Sequence, residues 1–139
     1  MIRHRDPGVC VRVNPVEMES CLVNLLVNAY EALGEERGEV VVRTSLLPYP
    51  TQNYDGVVEL VVEDTGPGIP RGVTDEVFTP FFSRKAGGVG LGLSIAFESA
   101  KRNGAQMQIE SDGQTGTRVT MRLPFLRVSG SDLATGKEA

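Results

Sequence analysis

One histidine, His4, and two cysteines, Cys10 and Cys21, are all that 139 residues offer in soft metal ligands. The cysteines form no C-x-x-C pair, which argues against structural zinc and against dithiol redox chemistry. They read as two small core residues of a protein in a reducing compartment. No apolar run approaches the roughly 20 residues that a membrane helix needs. The first residues, MIRHRDPG, lack the apolar stretch of a signal peptide and read as a leader over 1–8. Both points favour a cytoplasmic location without direct membrane contact. Basic residues are outnumbered, 14 against 18 acidic, for a net charge of −4, and this weighs against a general nucleic-acid binder. Two familiar phosphate motifs are also missing. There is no G-x-x-x-x-G-K-S/T loop, and no glycine run follows the first strand of a βαβ unit. Repeats and low-complexity stretches are lacking.

What is present suits one soluble domain with its own core: 40% apolar and 23% charged residues. Val9 to Val13 reads as a short strand. Asn14-Pro15-Val16-Glu17 reads as a helix start, with Asn14 as cap, Pro15 at the first helical position and Glu17 at the capping-box spacing. On a helical wheel Met18, Leu22, Leu25, Leu26, Ala29, Ala32 and Leu33 share one apolar arc, and Gly34 stops the helix. Asn24, Asn28 and Glu31 form a narrow polar stripe beside that arc, in line with Glu17. Val40 to Leu47 and Val57 to Asp64 read as strands joined by a polar loop. Val58, Leu60, Val62 and Asp64 share one face, which puts the Asp64 carboxylate at the end of the core-facing row. Residues 65–90, rich in glycine and proline, read as loop, with a helical turn near Thr74 to Phe78. Leu91 to Asn103 fits a helix closed by Gly104. Two alternating segments, around Met107 to Ile109 and Val119 to Leu123, predict a hairpin with one buried face. The pattern fades after Pro124, so the domain is expected over 9–124, with 125–139 as a tail. Together these elements predict an α+β two-layer sandwich: helices on one face of a mixed, largely antiparallel sheet.

Three separated clusters carry chemistry. Asn24 and Asn28, one turn apart, point the same way and offer neutral amide oxygens of the kind that suit Mg²⁺ sharing its shell with phosphate. Asp64-Thr65-Gly66-Pro67-Gly68-Ile69-Pro70 puts an acid at a strand end before glycines that let a planar base approach. Such an acid accepts from an exocyclic amine like that of adenine. Gly88, Gly90 and Gly92 precede a helix, where free N–H groups and the helix N-terminus meet phosphate. Arg84 and Lys85 lie just upstream to meet a terminal phosphate, and Phe78, Phe81 and Phe82 could anchor the flap. Each cluster alone also has an ordinary reading: polar residues at a helix edge, an Asp-Gly turn, a flexible surface loop.

In this order, over about sixty residues, the set resembles the N, G1, F and G2 boxes of the ATP-binding domain of bacterial sensor histidine kinases, the Bergerat fold. The short lid, Pro80-Phe81-Phe82-Ser83-Arg84-Lys85, resembles nitrogen-regulation-type sensors most closely. The resemblance implies ATP and Mg²⁺ as ligands, with Asn28 on the metal and Asn24 assisting. It implies that Asp64 reads the adenine amine, with Gly66, Gly68 and Ile69 at the base. Phe78, Phe82 and Arg84 would belong to the nucleotide pocket and Lys85 would contact the γ-phosphate. Gly88, Gly90, Leu91 and Gly92 would line the phosphates, and Thr117 would support the adenine end through water. The implied partners are a histidine phosphoacceptor and dimerisation domain and, downstream, a response-regulator receiver. The isolated domain would be a monomer, and its parent could be membrane-anchored. Hydrolysing and serine-kinase branches of this class carry Glu four residues before the metal Asn. Asn24 stands there, and an amide cannot accept a proton near neutral pH. Two departures stand out: Glu31, where many sensors have Lys or Arg, and the absence of the acceptor block, since His4-Arg5-Asp6-Pro7 does not match it. An ATP hydrolase or serine kinase of the same fold, and a non-catalytic nucleotide-binding module, are the competing readings.

Overall fold

The computed structural model describes residues 8–35, 37–66, 92–111 and 115–127. In chain order they form β1 (Val9–Cys10), α1 (Pro15–Leu33), β2 (Val40–Leu47), β3 (Gly56–Asp64), α2 (Gly92–Arg102), β4 (Gln106–Ser111) and β5 (Thr117–Arg127).

β5 is the spine of the sheet. One edge pairs with β3 from Thr117 to Phe125; the other pairs with β4 over Thr117 to Arg122 and then with β1 at Leu126 and Arg127. β2 pairs with the far edge of β3. Every one of these pairings is antiparallel, so the parallel component expected of a mixed sheet does not occur among the described strands. β5 also continues past Pro124, the expected end of the pattern, to Arg127, and Phe125 is fully buried. Proline has no N–H for a ladder. Pro124 falls where β5 has left β4 and not yet met β1, so no ladder bond is lost on that edge.

Helices cover one face only. The core joins Met18, Cys21, Leu25 and Ala29 of α1, and Ala96 and Ala100 of α2, to the inward rows of β3 and β5. Both cysteines are buried and free, as their reading as core residues requires. Leu26 is a correction: the wheel puts it in the core arc, yet it is 41% exposed. The sheet covers only the narrower arc centred on Met18, Leu25 and Ala29, and Leu26 lies at its margin.

The opposite sheet face is dressed with charge. Glu63 pairs with Arg43 and Arg118, Glu59 pairs with Arg122, and Arg118 also nears Glu110. Exposed pairs of this kind stabilise little individually. Their side chains nonetheless lie over the face, and Val61 and Thr120 beneath them are buried.

The start of α1 is built differently from a capping box. Asn14 Oδ1 accepts from the Glu17 N–H at 3.1 Å, as a cap should. Glu17 does not reach back to Asn14. The Asn14 N–H donates instead to Asn103 Oδ1 at 2.7 Å, and the Glu17 carboxylate accepts from Asn103 Nδ2 at 3.0 Å and Arg102 Nε at 3.3 Å. Asn103 therefore clamps the beginning of α1 to the end of α2 and fixes the two helices antiparallel. Nothing in the local pattern signals it, because the partners are 86 residues or more apart.

Candidate functional site

The site forms where the last residues of β3 pass beneath the final turns of α1. β3 carries its inward row, Leu60 and Val62, into the core, and Asp64 is the next residue on that face, only 7% exposed. An acid so placed is held by what surrounds it. Asp64 Oδ1 accepts the Gly66 N–H at 3.0 Å, a local turn that orients the carboxylate. Thr117 of β5 is directly opposite Asp64 in the ladder and is equally buried. Thr65 is tied to the start of β2: its N–H donates to the Glu39 carbonyl at 3.1 Å and its Oγ1 accepts the Glu39 N–H at 2.9 Å. The corner 64–66 is thus pinned from both sides.

Glycine is required at two points here. A Cβ on Gly66 would lie 2.7 Å from the Ala32 carbonyl oxygen, so only glycine lets the strand end run this close to α1. Gly116 has φ +132°, and a Cβ there would meet the Asp64 carbonyl oxygen at 2.0 Å. Gly116-Thr117 and Asp64-Thr65-Gly66 are therefore two backbones in contact.

Ala32 stands one turn beyond Asn28 on α1, and Asn24 one turn before it. Both asparagines are half-buried, and neither side-chain amide is hydrogen-bonded to a described residue. Half-buried amides normally find partners; an uncommitted pair on one helix flank has the oxygen donors that a hard cation keeping part of its water shell could use. Glu17 shares that stripe in sequence, but it is engaged with Arg102 and Asn103 at the opposite end of the helix. α2 opens at Gly92 and closes at Arg102, with Gly104 following at φ +77°.

Of the residues singled out from the sequence, Asp64, Gly66 and Thr117 come together at one corner, and Asn24 and Asn28 occupy the neighbouring flank of α1. Gly68, Ile69, Phe78, Phe82, Arg84, Lys85, Gly88, Gly90 and Leu91 lie outside the described residues, as does the helical turn expected near Thr74. Sequence reasoning missed Glu39, which holds the corner through its backbone N–H and C=O, and the close approach of the Ala32 carbonyl to Gly66; backbone atoms leave no side-chain signature.

Residues 13–127 match the family described as histidine kinase-, DNA gyrase B- and HSP90-like ATPase. The chain belongs to this family. Among relatives of this ATPase-family chain, the C4-dicarboxylate transport sensor protein DctB of Rhizobium meliloti (strain 1021) is 40% identical over 111 residues, 79% of this chain and 17% of that protein. The sensory histidine kinase/phosphatase NtrB of Escherichia coli O157:H7 is 36% identical over 115 residues, 80% of this chain and 33% of that protein. The chain thus spans a third or less of the length of these two relatives. Among solved structures, the catalytic domain of the histidine kinase ThkA superposes with a TM-score of 0.66 at 28% identity, covering 82% of this chain and 70% of that one. The two-layer arrangement of helices over an antiparallel sheet is the fold of these histidine-kinase catalytic domains.

Proposed function

We propose that this domain binds Mg-ATP and donates the γ-phosphate to a histidine on a separate phosphoacceptor and dimerisation domain, in two-component signalling with a response-regulator receiver downstream. The observation that carries the reading is the uncommitted amide pair Asn24 and Asn28 beside the buried Asp64–Gly66 corner. The relative NtrB is named a sensory histidine kinase/phosphatase, which supports this reading.

In this reading the Asp64 carboxylate accepts the adenine amine, held in aim by the Gly66 N–H, and Gly66 gives the base access to the backbone. Thr117 supports that end through water. Asn28, with Asn24 assisting, holds Mg²⁺, which when bound neutralises charge on the phosphates. Lys85 and Arg84 meet the terminal phosphate; Gly88, Gly90, Leu91 and Gly92 line the phosphates at the start of α2; Gly68, Ile69, Phe78 and Phe82 complete the pocket. Catalysis is then mostly positioning and electrostatics, as in phosphoryl transfer generally. A neutral imidazole already offers a nucleophilic nitrogen, so the acceptor needs no strong base from this domain. No described helix is long and apolar enough to cross a membrane; we place the domain in the cytoplasm, as a monomer when isolated.

The test is radiolabelled phosphate transfer from ATP to a supplied phosphoacceptor-helix domain. The expected result is label on histidine, lost in Asn28→Ala together with the Mg²⁺ dependence of ATP binding. The hydrolase reading needs a carboxylate base, and Glu31 is the acid of this stripe nearest the Asp64 corner. Brisk phosphate release without any acceptor, abolished by Glu31→Gln, would replace the kinase reading.

A further inference from the structure

α1 is apolar on two sides. The inner side, Met18, Cys21, Leu25 and Ala29, is buried. On the outer side Val16, Val23 and Tyr30 recur at seven-residue steps, with Leu26 and Val27 between the last two. Val16 is 76% exposed and Tyr30 73%, while Val23, Leu26 and Val27 range from 41% to 50%. The outer flank of a surface helix is ordinarily polar. A seven-residue apolar repeat is instead the pattern of a helix that packs against another helix, and from Val16 to Tyr30 it runs about 21 Å. Single exposed apolar residues are commonplace, but a contiguous stripe marks a contact surface.

Charge indicates what covers it. Glu19 sits within the seam, at the position one heptad before Leu26, and forms no ion pair with a described residue. Glu31 borders the seam, and the 19 residues of α1 include no Lys or Arg. A second copy of this chain would set Glu19 against Glu19 in a parallel pairing, or against valine and leucine in an antiparallel one. Either arrangement desolvates an unpaired acid. An anionic lipid surface would be repelled by the same acids.

We propose that the outer face of α1 is a docking seam for a single amphipathic helix that offers aliphatic residues to Val16, Val23, Leu26, Val27 and Tyr30, and a Lys or Arg to Glu19. Asn24 and Asn28 project from a flank about 120° around the helix axis. The docked helix and a nucleotide therefore use different sides of one element, and the inference stands whatever the fate of the kinase reading.

The test is an NMR titration of the isotopically labelled chain with two synthetic helices of roughly 18 residues, long enough to match the seam. One carries a leucine seam flanked by lysine; the other has glutamate in place of each lysine. The lysine peptide should shift amide resonances of Val16 to Tyr30 and bind at least about tenfold tighter than the glutamate peptide. Glu19→Lys should narrow or invert that preference. Val23→Ser with Val27→Ser, at half-exposed positions that leave the core intact, should weaken the lysine peptide by roughly tenfold or more. Failure of both peptides to bind, shifts confined to another surface, or an unaltered preference in Glu19→Lys would overturn the proposal. So would self-association in sedimentation that the serine pair abolishes.

Discussion

Replacing Asn103 by alanine removes three hydrogen bonds at once. Its Nδ2 donates to the Ser99 carbonyl at 2.7 Å and to Glu17 Oε2 at 3.0 Å, and its Oδ1 accepts the Asn14 N–H at 2.7 Å. A neutral bond contributes about 1 kcal/mol net and one to a charged group about 1.5–3 kcal/mol. The bond to Glu17 belongs at the low end of that range, because the carboxylate is partly solvated and keeps Arg102. The loss should therefore total about 3 kcal/mol, or roughly 10 °C in Tm for a domain of this size. Urea unfolding followed by circular dichroism measures it directly. Asn103→Asp should be at least as damaging, since it sets a second carboxylate against Glu17. The clamp sits at the opposite end of α1 from the Asp64 corner. Mg-ATP affinity, measured where the variant is folded, should therefore change less than about threefold, under 1 kcal/mol. A stability loss below about 0.5 kcal/mol in Asn103→Ala, the scale of an ordinary surface change, would refute the view that this side chain joins the two helices.

Gly66→Ala should weaken ATP by roughly tenfold or more, because the added methyl meets backbone that can only yield by moving the corner. On the proposed assignment inorganic pyrophosphate does not reach the base end of the pocket and should bind as before; calorimetry with both ligands checks this. Asp64→Ala should show the same split, and equal loss of both ligands would contradict the assignment of Asp64 to the adenine. Burial pushes the Cys21 thiol from its ordinary 9.0 up to about 11, and its Sγ donates to the Ala96 carbonyl at 3.4 Å. The folded value is the raised one, so the stabilisation is complete below about pH 9 and is lost as pH rises towards 11, a fall of roughly 3 kcal/mol. Cys21→Ala should flatten that alkaline decline, and thiol reagents at pH 8 should label the folded chain slowly at both cysteines.

Where an element depends on its own residues, the sequence was a sufficient guide. The Asn14 cap, the Pro15 start and the Gly34 stop place α1 correctly, because capping is settled within four residues. A β-rich run before a polar loop placed β2, and period-two alternation placed the β4–β5 hairpin and put Asp64 at the inward end of the β3 row, since side-chain direction in a strand follows from counting. The amide pair and the strand-end acid were legible for the same reason: residues on one element keep a fixed relative geometry. Tertiary structure alone decided the rest. The extension of β5 through Pro124 depends on which strands flank it at that point, and Glu17 turned from a capping partner into a helix clamp because Asn103 arrives from the far end of α2. The exposure of Leu26 is set by how much of α1 the sheet covers, and the need for glycine at 66 by how near Ala32 comes. Local chemistry fixes what each segment is and which way its side chains point. Distances between segments arise only when the whole core packs, and those distances turn separate motifs into a single corner.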